Sequence, residues 1–301
     1  MVLNRGAFGK ALWPGVKSWT GKGYSELTLE HPSLFDTYRS DKAFEEDVSV
    51  SGFGLWSTGS EASQVIYDSM SQGFVTRYNH VKYFSGFIIT SDLIDDNQYM
   101  GVIENKATAL GFGARQTQET VAANVYNRAF NNSFLGGDGK ELLSTSHPNI
   151  AGGTYSNKLA VDADLSEAAL EQAVIDLMKF TNDRGLRISV MVKSLIIPVD
   201  LWAEVCRVLR SPLQADAVTN NINALKLEGK IPEVILNHYL TDTDAWFLRT
   251  NIPDGMKRYV RKDITFSEDN EFESDNLKYK GVYRESYGWS DARALYGSQG
   301  A

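Results

Sequence analysis

Residues 97–148 read NQYMGVIENKATALGFGARQTQETVAANVYNRAFNNSFLGGDGKELLSTSHP. As far as Ser133, apolar or small side chains recur at intervals of three and four, which is the longest helical pattern in the chain. These positions are Met100, Ile103, Ala107, Leu110, Ala114, Thr117, Val121, Val125 and Ala129. A helix over 97–133 would reach ~55 Å at ~1.5 Å per residue, about three times the usual length. The stretch predicts one long structural helix.

The other face of this predicted helix is polar and is expected to be exposed. Its residues are Asn105, Lys106, Arg115, Gln116, Gln118 and Glu119. Gly111 and Gly113 interrupt the helix, and each costs ~1 kcal/mol relative to Ala in a helix interior. Either another backbone packs closely there or the helix bends. The cluster Gly136-Gly137-Asp138-Gly139 is predicted to end the segment, followed by a short strand at Leu142 and Leu143.

Composition excludes several classes of protein. The chain has 301 residues, 43% of them hydrophobic, and a net charge of −8, so it can bury a large core and carries no overall basic field for binding nucleic acid. Its single cysteine, Cys206, excludes an internal disulfide framework. No apolar run approaches the ~18 residues of a membrane span, and the N-terminus does not read as a signal peptide. We therefore expect cytoplasmic synthesis and no membrane partner.

The segments before the helix contain more aromatic surface than they can bury locally. Residues 1–44 include Trp13 and Trp19 and predict an arm that either lies on the body or pairs as a strand elsewhere. Residues 45–92 predict a long β-hairpin excursion with Phe53, Leu55 and Trp56 among Gly and Ser residues. These side chains either fold back onto the same chain or contact a neighbouring molecule.

The second half of the chain alternates helices with apolar strands, which indicates a mixed α/β layer over 151–254. Ser166 is a predicted helix cap, and the helix after it is expected to reach Asn182, with Gly185 following. Residues 255–301 are charged and then alternate, as a half-exposed strand does. Arg258 and Arg261 precede Glu271 and Glu273, so opposite charges are predicted to pair between copies of the chain.

No catalytic, metal-binding or cofactor-binding constellation is predicted. The four histidines, His31, His80, His147 and His238, have no metal-ligand spacing. Ser144, Ser146, His147 and Asp138 lie too close in sequence to be expected in triad geometry, and no G-x-S-x-G elbow exists. The segment GGDGK lacks the flanking residues of a phosphate-binding loop. Assembly, rather than chemistry, accounts for the long helix, the hairpin and the aromatic arm.

Four segments in order give the chain a resemblance to tailed-phage major capsid proteins of the Hong Kong 97 type, close to Mu-like head subunits. They are IITSDLIDDN, then VAANVYNRAFNNSF through DGKELLSTSHPN, then LTDTDAWFL, and finally YKGVYRESYGWSDARALYG. The resemblance implies an α+β fold with an N-terminal arm (1–44), an extended hairpin loop (45–92), a peripheral domain with a long spine helix on an antiparallel sheet (93–150), a mixed α/β axial domain (151–254), and return strands to the peripheral domain with a C-terminal tail (255–301).

The same resemblance implies function. The chain would be a structural, non-enzymatic subunit that forms pentamers and hexamers in an icosahedral head around double-stranded DNA, which it meets only by non-specific proximity. A separate scaffolding protein and a portal would be partners, with assembly in the host cytoplasm. Phe53, Leu55, Trp56, Trp13, Trp19, Arg258, Arg261, Glu271 and Glu273 are the predicted inter-subunit contacts. Two alternatives stay open at this stage: an encapsulin-like shell around protein cargo, and a monomeric enzyme.

Overall fold

The computed structural model describes residues 9–62, 64–90, 92, 99–213, 221–271 and 276–301. The helices are α1 (Gly9–Ser25), α2 (His31–Leu34), α3 (Tyr99–Asn127), α4 (Glu167–Met178), α5 (Trp202–Arg210) and α6 (Ala224–Leu227), with short 3-10 turns at Val199–Leu201 and Ala292–Ala294. The strands are β1 (Asp36–Arg39), β2 (Phe44–Val50), β3 (Gln72–Asn79), β4 (Val81–Ile89), β5 (His147–Pro148), β6 (Thr154–Tyr155), β7 (Val192–Ile197), β8 (Val234–Leu236), β9 (Trp246–Thr250), β10 (Met256–Asn270), β11 (Leu277–Trp289) and β12 (Leu295–Ser298).

Two four-stranded sheets organise these elements. The first has the order β1-β10-β11-β4, and every pair in it is antiparallel except β1 with β10. The second has the order β12-β9-β7-β8, in which only β7 and β8 are parallel. Strands β2 and β3 form a separate antiparallel hairpin. The chain therefore has the predicted α+β architecture, in which β10 and β11 belong to the first sheet and β12 to the second.

The long helix exists, but the sequence pattern placed its C-terminal end and part of its buried face wrongly, while the predicted start at Asn97 lies outside the described residues. Helix α3 has 29 residues and ends at Asn127, six residues before the predicted Ser133. Ile103 and Ala107 of the helix are buried as predicted, and so is Ala129 in the turn that follows it. Arg115, Gln118 and Glu119, which were predicted to be exposed, are 0–3% exposed, whereas Thr117 faces solvent. The polar residues are buried because other parts of the chain supply hydrogen-bonding partners.

Residues 9–25 form a helix that the sequence pattern did not predict. Helix α1 packs along α3, and Val16 is buried with Ile103, Ala107 and the strand residues Ile89 and Tyr279. The arm is thus joined to the body in two ways. Helix α1 packs on α3, and β1 pairs with β10. Pairing as a strand was one of the two predicted alternatives. This packing covers one face of the first sheet.

The largest core lies around the second sheet. Helices α4 and α5 pack on β7 and β9, and Trp246 is fully buried with its indole N–H donating to the carbonyl of Ala163 at 3.1 Å. Ser166 caps α4, as predicted, by accepting from the backbone N–H of Ala169. The helix ends at Met178, earlier than the predicted Asn182. Leu142 and Leu143 belong to a second core beneath α3 and are not a strand.

Candidate assembly surface

The most exposed apolar segment is the tip loop, residues 51–71, which joins β2 to β3. Its two ends are tied together, because the N–H of Ser51 donates to the carbonyl of Ser71 at 3.0 Å and the two hydroxyls lie 2.8 Å apart. Between these ends, the described residues form neither helix nor strand. The loop is therefore closed at its base but has no backbone ladder farther out.

The tip loop leaves large side chains in water. Leu55 is 82% exposed, Trp56 is 95% exposed and Tyr67 is 92% exposed. Phe53, predicted as a contact, is also exposed, as are Val65, Ile66 and Met70. Burying such side chains stabilises a contact by roughly 1.5–3 kcal/mol each. They do not fold back onto the chain, so the surface that could bury them is not part of this molecule.

A charged cluster fixes the base of the hairpin to the first sheet. The ammonium of Lys257 on β10 lies 2.7 Å from the Asp47 carboxylate on β2 and 2.8 Å from that of Asp254. The hydroxyls of Ser290 and Tyr259 also donate to Asp47, at 2.6 and 3.1 Å. These contacts orient the hairpin relative to the body.

The cluster perturbs the acidity of both charged partners. Burial opposes ionisation of Asp47, but the hydrogen bonds from Lys257, Ser290 and Tyr259 and the charge of Lys257 outweigh it, so the pKa of Asp47 is lowered. Burial likewise favours the neutral amine of Lys257, but Asp254 and Asp47 outweigh it and raise the pKa of Lys257. Both side chains are charged at neutral pH.

A second contact holds the tip loop at its outer part. The guanidinium of Arg184, which follows α4, lies 2.8 Å from the carboxylate of Asp68 and also donates to the carbonyl of Ser69. Asp68 in turn accepts from the N–H of Gly54 at 2.8 Å. This backbone hydrogen bond and then the interactions with Arg184 lower the pKa of Asp68. The loop therefore contacts its own chain through an exposed ion pair, and its aromatic side chains remain free.

The N-terminal arm is fixed to α3 by contacts inside the chain. Trp19, a predicted inter-subunit contact, packs partly buried against the cluster around Val16 and Ile103. The backbone N–H of His31 donates to Glu119 at 2.8 Å, and the His31 ring lies 2.8 Å from the same carboxylate. Trp19 therefore anchors α1 in this structure. The side chain of Trp13 lies outside the described part.

Arg258, a predicted inter-subunit contact, forms an ion pair within the chain. Its guanidinium lies 2.7 Å from the carboxylate of Glu285, and the two side chains are 13% and 1% exposed. Glu285 also accepts from the hydroxyl of Tyr287 at 3.1 Å and from the Gln118 amide at 3.4 Å. This network lies between α3 and the first sheet and uses the Arg258 guanidinium within the chain, and the role of Arg258 between copies stays a prediction.

The remaining charged candidates lie at the surface. Arg261 is 3.5 Å from Asp41 in an exposed pair, and Glu271 is 2.6 Å from Lys278. Such exposed pairs contribute ~0–1 kcal/mol, so they can exchange partners at small cost. Their role between copies stays a prediction. Glu273 lies outside the described residues.

His147, which was predicted to have no catalytic role, lies against a carboxylate. Nδ1 of His147 is 2.6 Å from Asp138, although the predicted absence concerned a complete Ser-His-Asp triad and not this pair. Its Nε2 faces the Asn157 side-chain oxygen at 3.1 Å, and that oxygen also accepts from the N–H of Ser144. His147 is fully buried, and its two ring nitrogens are occupied by Asp138 and Asn157 and not by a serine hydroxyl. These hydrogen bonds join Asp138, in the segment after α3, to His147 and Asn157 farther along the chain.

Sequence reasoning missed part of the tip loop. Val65, Ile66 and Tyr67 form an apolar run within a polar segment, and this run is the signal that could have identified them. Within the described residues, no group of three or more His, Cys, Asp or Glu side chains could hold a metal ion. None of the helices in those residues is long and apolar enough to cross a membrane.

A comparison with protein families identifies the kind of protein that carries these surfaces. A family model described as phage capsid protein matches residues 74–298, which is 225 of the 301 residues. The chain belongs to this family. It is a structural capsid subunit, and the family places it in the capsid of the virion. No curated protein matches this capsid protein.

Solved structures show the fold of the capsid protein. A virus-like particle from Pyrococcus furiosus matches with a TM-score of 0.54 and 11% identity, over 94% of this chain and 97% of that chain. The capsid of a native GTA particle matches with a TM-score of 0.53 and 12% identity, over 91% of this chain and 92% of that chain. The fold is that of the Hong Kong 97-type capsid proteins. The finer likeness to Mu-like subunits stays a prediction.

Proposed function

We propose that this capsid protein forms an icosahedral phage head, built from pentamers and hexamers, that encloses double-stranded DNA. The observation that supports this most is the tip loop, whose large apolar side chains face water in the isolated chain. A contact between copies would bury them. Because the loop and the surface that receives it are different patches, each copy offers one of each, and repetition around an axis closes a ring.

In this proposal DNA is a neighbour and not a specific ligand. The net charge of −8 is unsuited to tight binding of phosphate groups, which needs basic side chains. A separate scaffolding protein and a portal are proposed partners during assembly in the host cytoplasm. The tip loop (51–71) corresponds to the end of the predicted extended loop 45–92, and α3 to the spine of the predicted peripheral domain 93–150.

An encapsulin-like shell around protein cargo is the second candidate. The structural likeness to the virus-like particle from Pyrococcus furiosus, with a TM-score of 0.54, supports this second candidate. The fold alone does not determine what a shell contains. The two candidates differ in their contents. Phage-derived particles that hold DNA support the head, whereas particles filled with a second protein support the compartment.

The assembly contact is tested by removing Phe53–Ser60 and counting particles in negative-stain images. A variant of unchanged length, F53S/L55S/W56S, separates loss of apolar side chains from loss of loop length. V161S is the matched control, since Val161 is also exposed but lies outside the loop. Circular dichroism should show all variants folded. We expect particles from wild type and V161S only. Normal particles from the deletion variant would exclude the loop as an inter-subunit contact.

A further inference from the structure

A cavity of about 300 Å³ lies between α3 and the first sheet. On the side of α3 it is bounded by residues with small side chains or none, which include Ala109, Gly113 and Ala114. On the side of the sheet its wall is aromatic and includes Tyr83, Tyr283 and Phe266. We name this space the helix-sheet cavity. Its volume falls at the lower end of the range of small-molecule sites in proteins, so it has room for one small ligand.

Gly113 helps to keep the helix-sheet cavity open. It is one of the two glycines that interrupt α3, and glycine in a helix interior is less stable than alanine. Nothing lies within 4 Å of a Cβ atom built at this position, so close packing does not require a glycine there. The space beside Gly113 belongs to the cavity. A cavity that must accept a ligand accounts for a glycine that packing leaves unexplained.

The strand register builds the aromatic wall of the cavity. Tyr83 on β4 pairs with Tyr283 on β11, and their rings stack with centroids 5.0 Å apart. Phe266 on β10 pairs with Gly281 on β11, where an added Cβ atom would lie 2.9 Å from the Phe266 ring. The absence of a side chain at position 281 lets this ring lie against β11. Aromatic rings in such a wall favour a flat, apolar ligand.

One polar group of this wall has no partner. Tyr283 is 4% exposed, and its hydroxyl is buried without a hydrogen bond among the described residues. Burial raises the pKa of Tyr283, so the hydroxyl keeps its proton and can donate. A buried hydroxyl without an acceptor is unfavourable, and each such group in a native structure calls for an explanation. A ligand that brings an acceptor into the cavity would satisfy it.

The lining of the cavity argues against a charged ligand and against water. Among the described residues, none with a charged side chain lines the cavity, so an ion would lose its hydration without gaining an opposite charge. A buried water needs about two to four polar partners. Besides Tyr283, the lining has only the hydroxyls of Ser85 and Thr117, and that of Thr117 already donates to the carbonyl of Gly113 at 2.7 Å. A neutral molecule with one acceptor matches this lining.

We propose that the helix-sheet cavity binds a small, neutral aromatic molecule that carries a hydrogen-bond acceptor. The ring of the ligand packs against Tyr83 and Phe266, and its acceptor takes the hydrogen bond of Tyr283. The ligand stabilises the subunit, because it binds the folded chain and not the unfolded one. This inference goes beyond the proposed function, since the site lies within one subunit and does not depend on assembly.

Two probes of the same shape test the chemistry of the site. Acetophenone carries a carbonyl oxygen, whereas α-methylstyrene has a methylene group in its place. NMR titration of the unassembled subunit with each probe measures the two dissociation constants. We expect acetophenone to bind about threefold to tenfold more tightly, which is the ratio that one hydrogen bond contributes. Equal affinities, or no binding of either probe at millimolar concentration, would overturn the proposal.

Two variants separate the hydroxyl from the cavity. Y283F keeps the ring and removes the hydroxyl, so it should make the affinities for the two probes equal. Y67F is the matched control, because Tyr67 is 92% exposed in the tip loop, and it should keep the preference for acetophenone. G113L should fill the cavity and abolish binding of both probes. Circular dichroism shows whether each variant folds. An unchanged preference in folded Y283F, or unchanged binding in folded G113L, would contradict the proposed site.

The position of the probe can be measured on the wild-type subunit without any variant. With ¹³C-labelled alanine methyl groups, bound acetophenone should show intermolecular nuclear Overhauser effects to Ala109 and Ala114, which line the cavity. Ala245 is the internal control, because it is buried in a different core and should show none. Effects confined to other alanines would overturn the proposal. Such a result would leave shell assembly unaffected, so it is distinguishable from a failure of the proposed function.

Discussion

Gly111 of α3 lies directly against the carbonyl of Thr20 in α1, so a Cβ atom on this glycine would overlap backbone. Gly23 of α1 makes the same close approach to the carbonyl of Thr108. The two helices thus meet backbone to backbone at positions where only glycine fits. This contact explains one of the two glycines that interrupt α3, and it explains it by packing and not by bending.

We predict that G111A lowers the free energy of unfolding by about 1–3 kcal/mol, because the added methyl group forces α1 away from α3. G113A is the matched control in the same helix, since nothing lies within 4 Å of a Cβ at that position. Ala has the higher helix propensity, so G113A should raise stability by up to ~1 kcal/mol. Chemical denaturation of the unassembled subunit measures both values. Equal effects of the two changes would argue against the close contact.

The free energy of unfolding should depend on pH through Asp47 at the base of the hairpin. The pKa of Asp47 is lowered in the folded state, so its contribution is present above the unfolded pKa of ~3.9 and is lost as the pH falls through the folded value. We expect D47N to cost about 1–3 kcal/mol at pH 7. The difference from wild type should shrink steadily below pH ~4. Unfolding curves at pH 3 to 7 measure it, and a difference that does not change with pH would contradict this role.

Removing one partner of the buried pair between Glu285 and Arg258 should destabilise the subunit strongly. E285A leaves the guanidinium without its carboxylate in a buried network, which costs ~3–5 kcal/mol. R261A is the control, because Arg261 pairs with Asp41 at the surface and should change stability by ~0–1 kcal/mol. Thermal unfolding compares the two variants. Similar midpoints would show that the network is not buried as described.

The ion pair between Asp68 and Arg184 should restrain the tip loop with little effect on global stability. R184A is expected to leave the free energy of unfolding nearly unchanged, because exposed ion pairs contribute little. It should speed chymotrypsin cleavage in the loop of the unassembled subunit severalfold, because Leu55, Trp56 and Tyr67 then move more freely. R207A removes another exposed arginine pair, with Glu204, and should leave this cleavage rate unchanged. An unchanged rate for R184A would mean that the ion pair does not hold the loop.

The sequence predicted the long helix and the exposed hairpin because both follow from local patterns. Residues such as Ile103 and Ala107 repeat at helical spacing, and Leu55 and Trp56 stand among Gly and Ser residues, which cannot bury them. The buried polar residues of α3 could not be predicted this way. Glu119 is buried because His31 supplies donors from 88 residues away, and Gln118 because of Glu285, 167 residues away.

The N-terminal helix and a row of three cations across the first sheet were missed for similar reasons. Gly15, Gly21 and Gly23 in α1 count against a helix locally, yet Gly23 is required by the backbone of α3. Lys82, Lys262 and Arg284 are far apart in sequence, and only the strand register brings them into one row. The pairing of Arg258 with Glu285 was missed as well, because Glu285 lies on a different strand.

The central claim is that copies of this subunit assemble into a closed shell through the tip loop. Electron microscopy of the purified wild-type protein beside F53S/L55S/W56S tests it most directly. The account predicts closed icosahedral particles from wild type and only unassembled, folded subunits from the variant. A wild-type sample that contains a single species of 33.5 kDa and no particles, or a variant that forms the same shells, would contradict it.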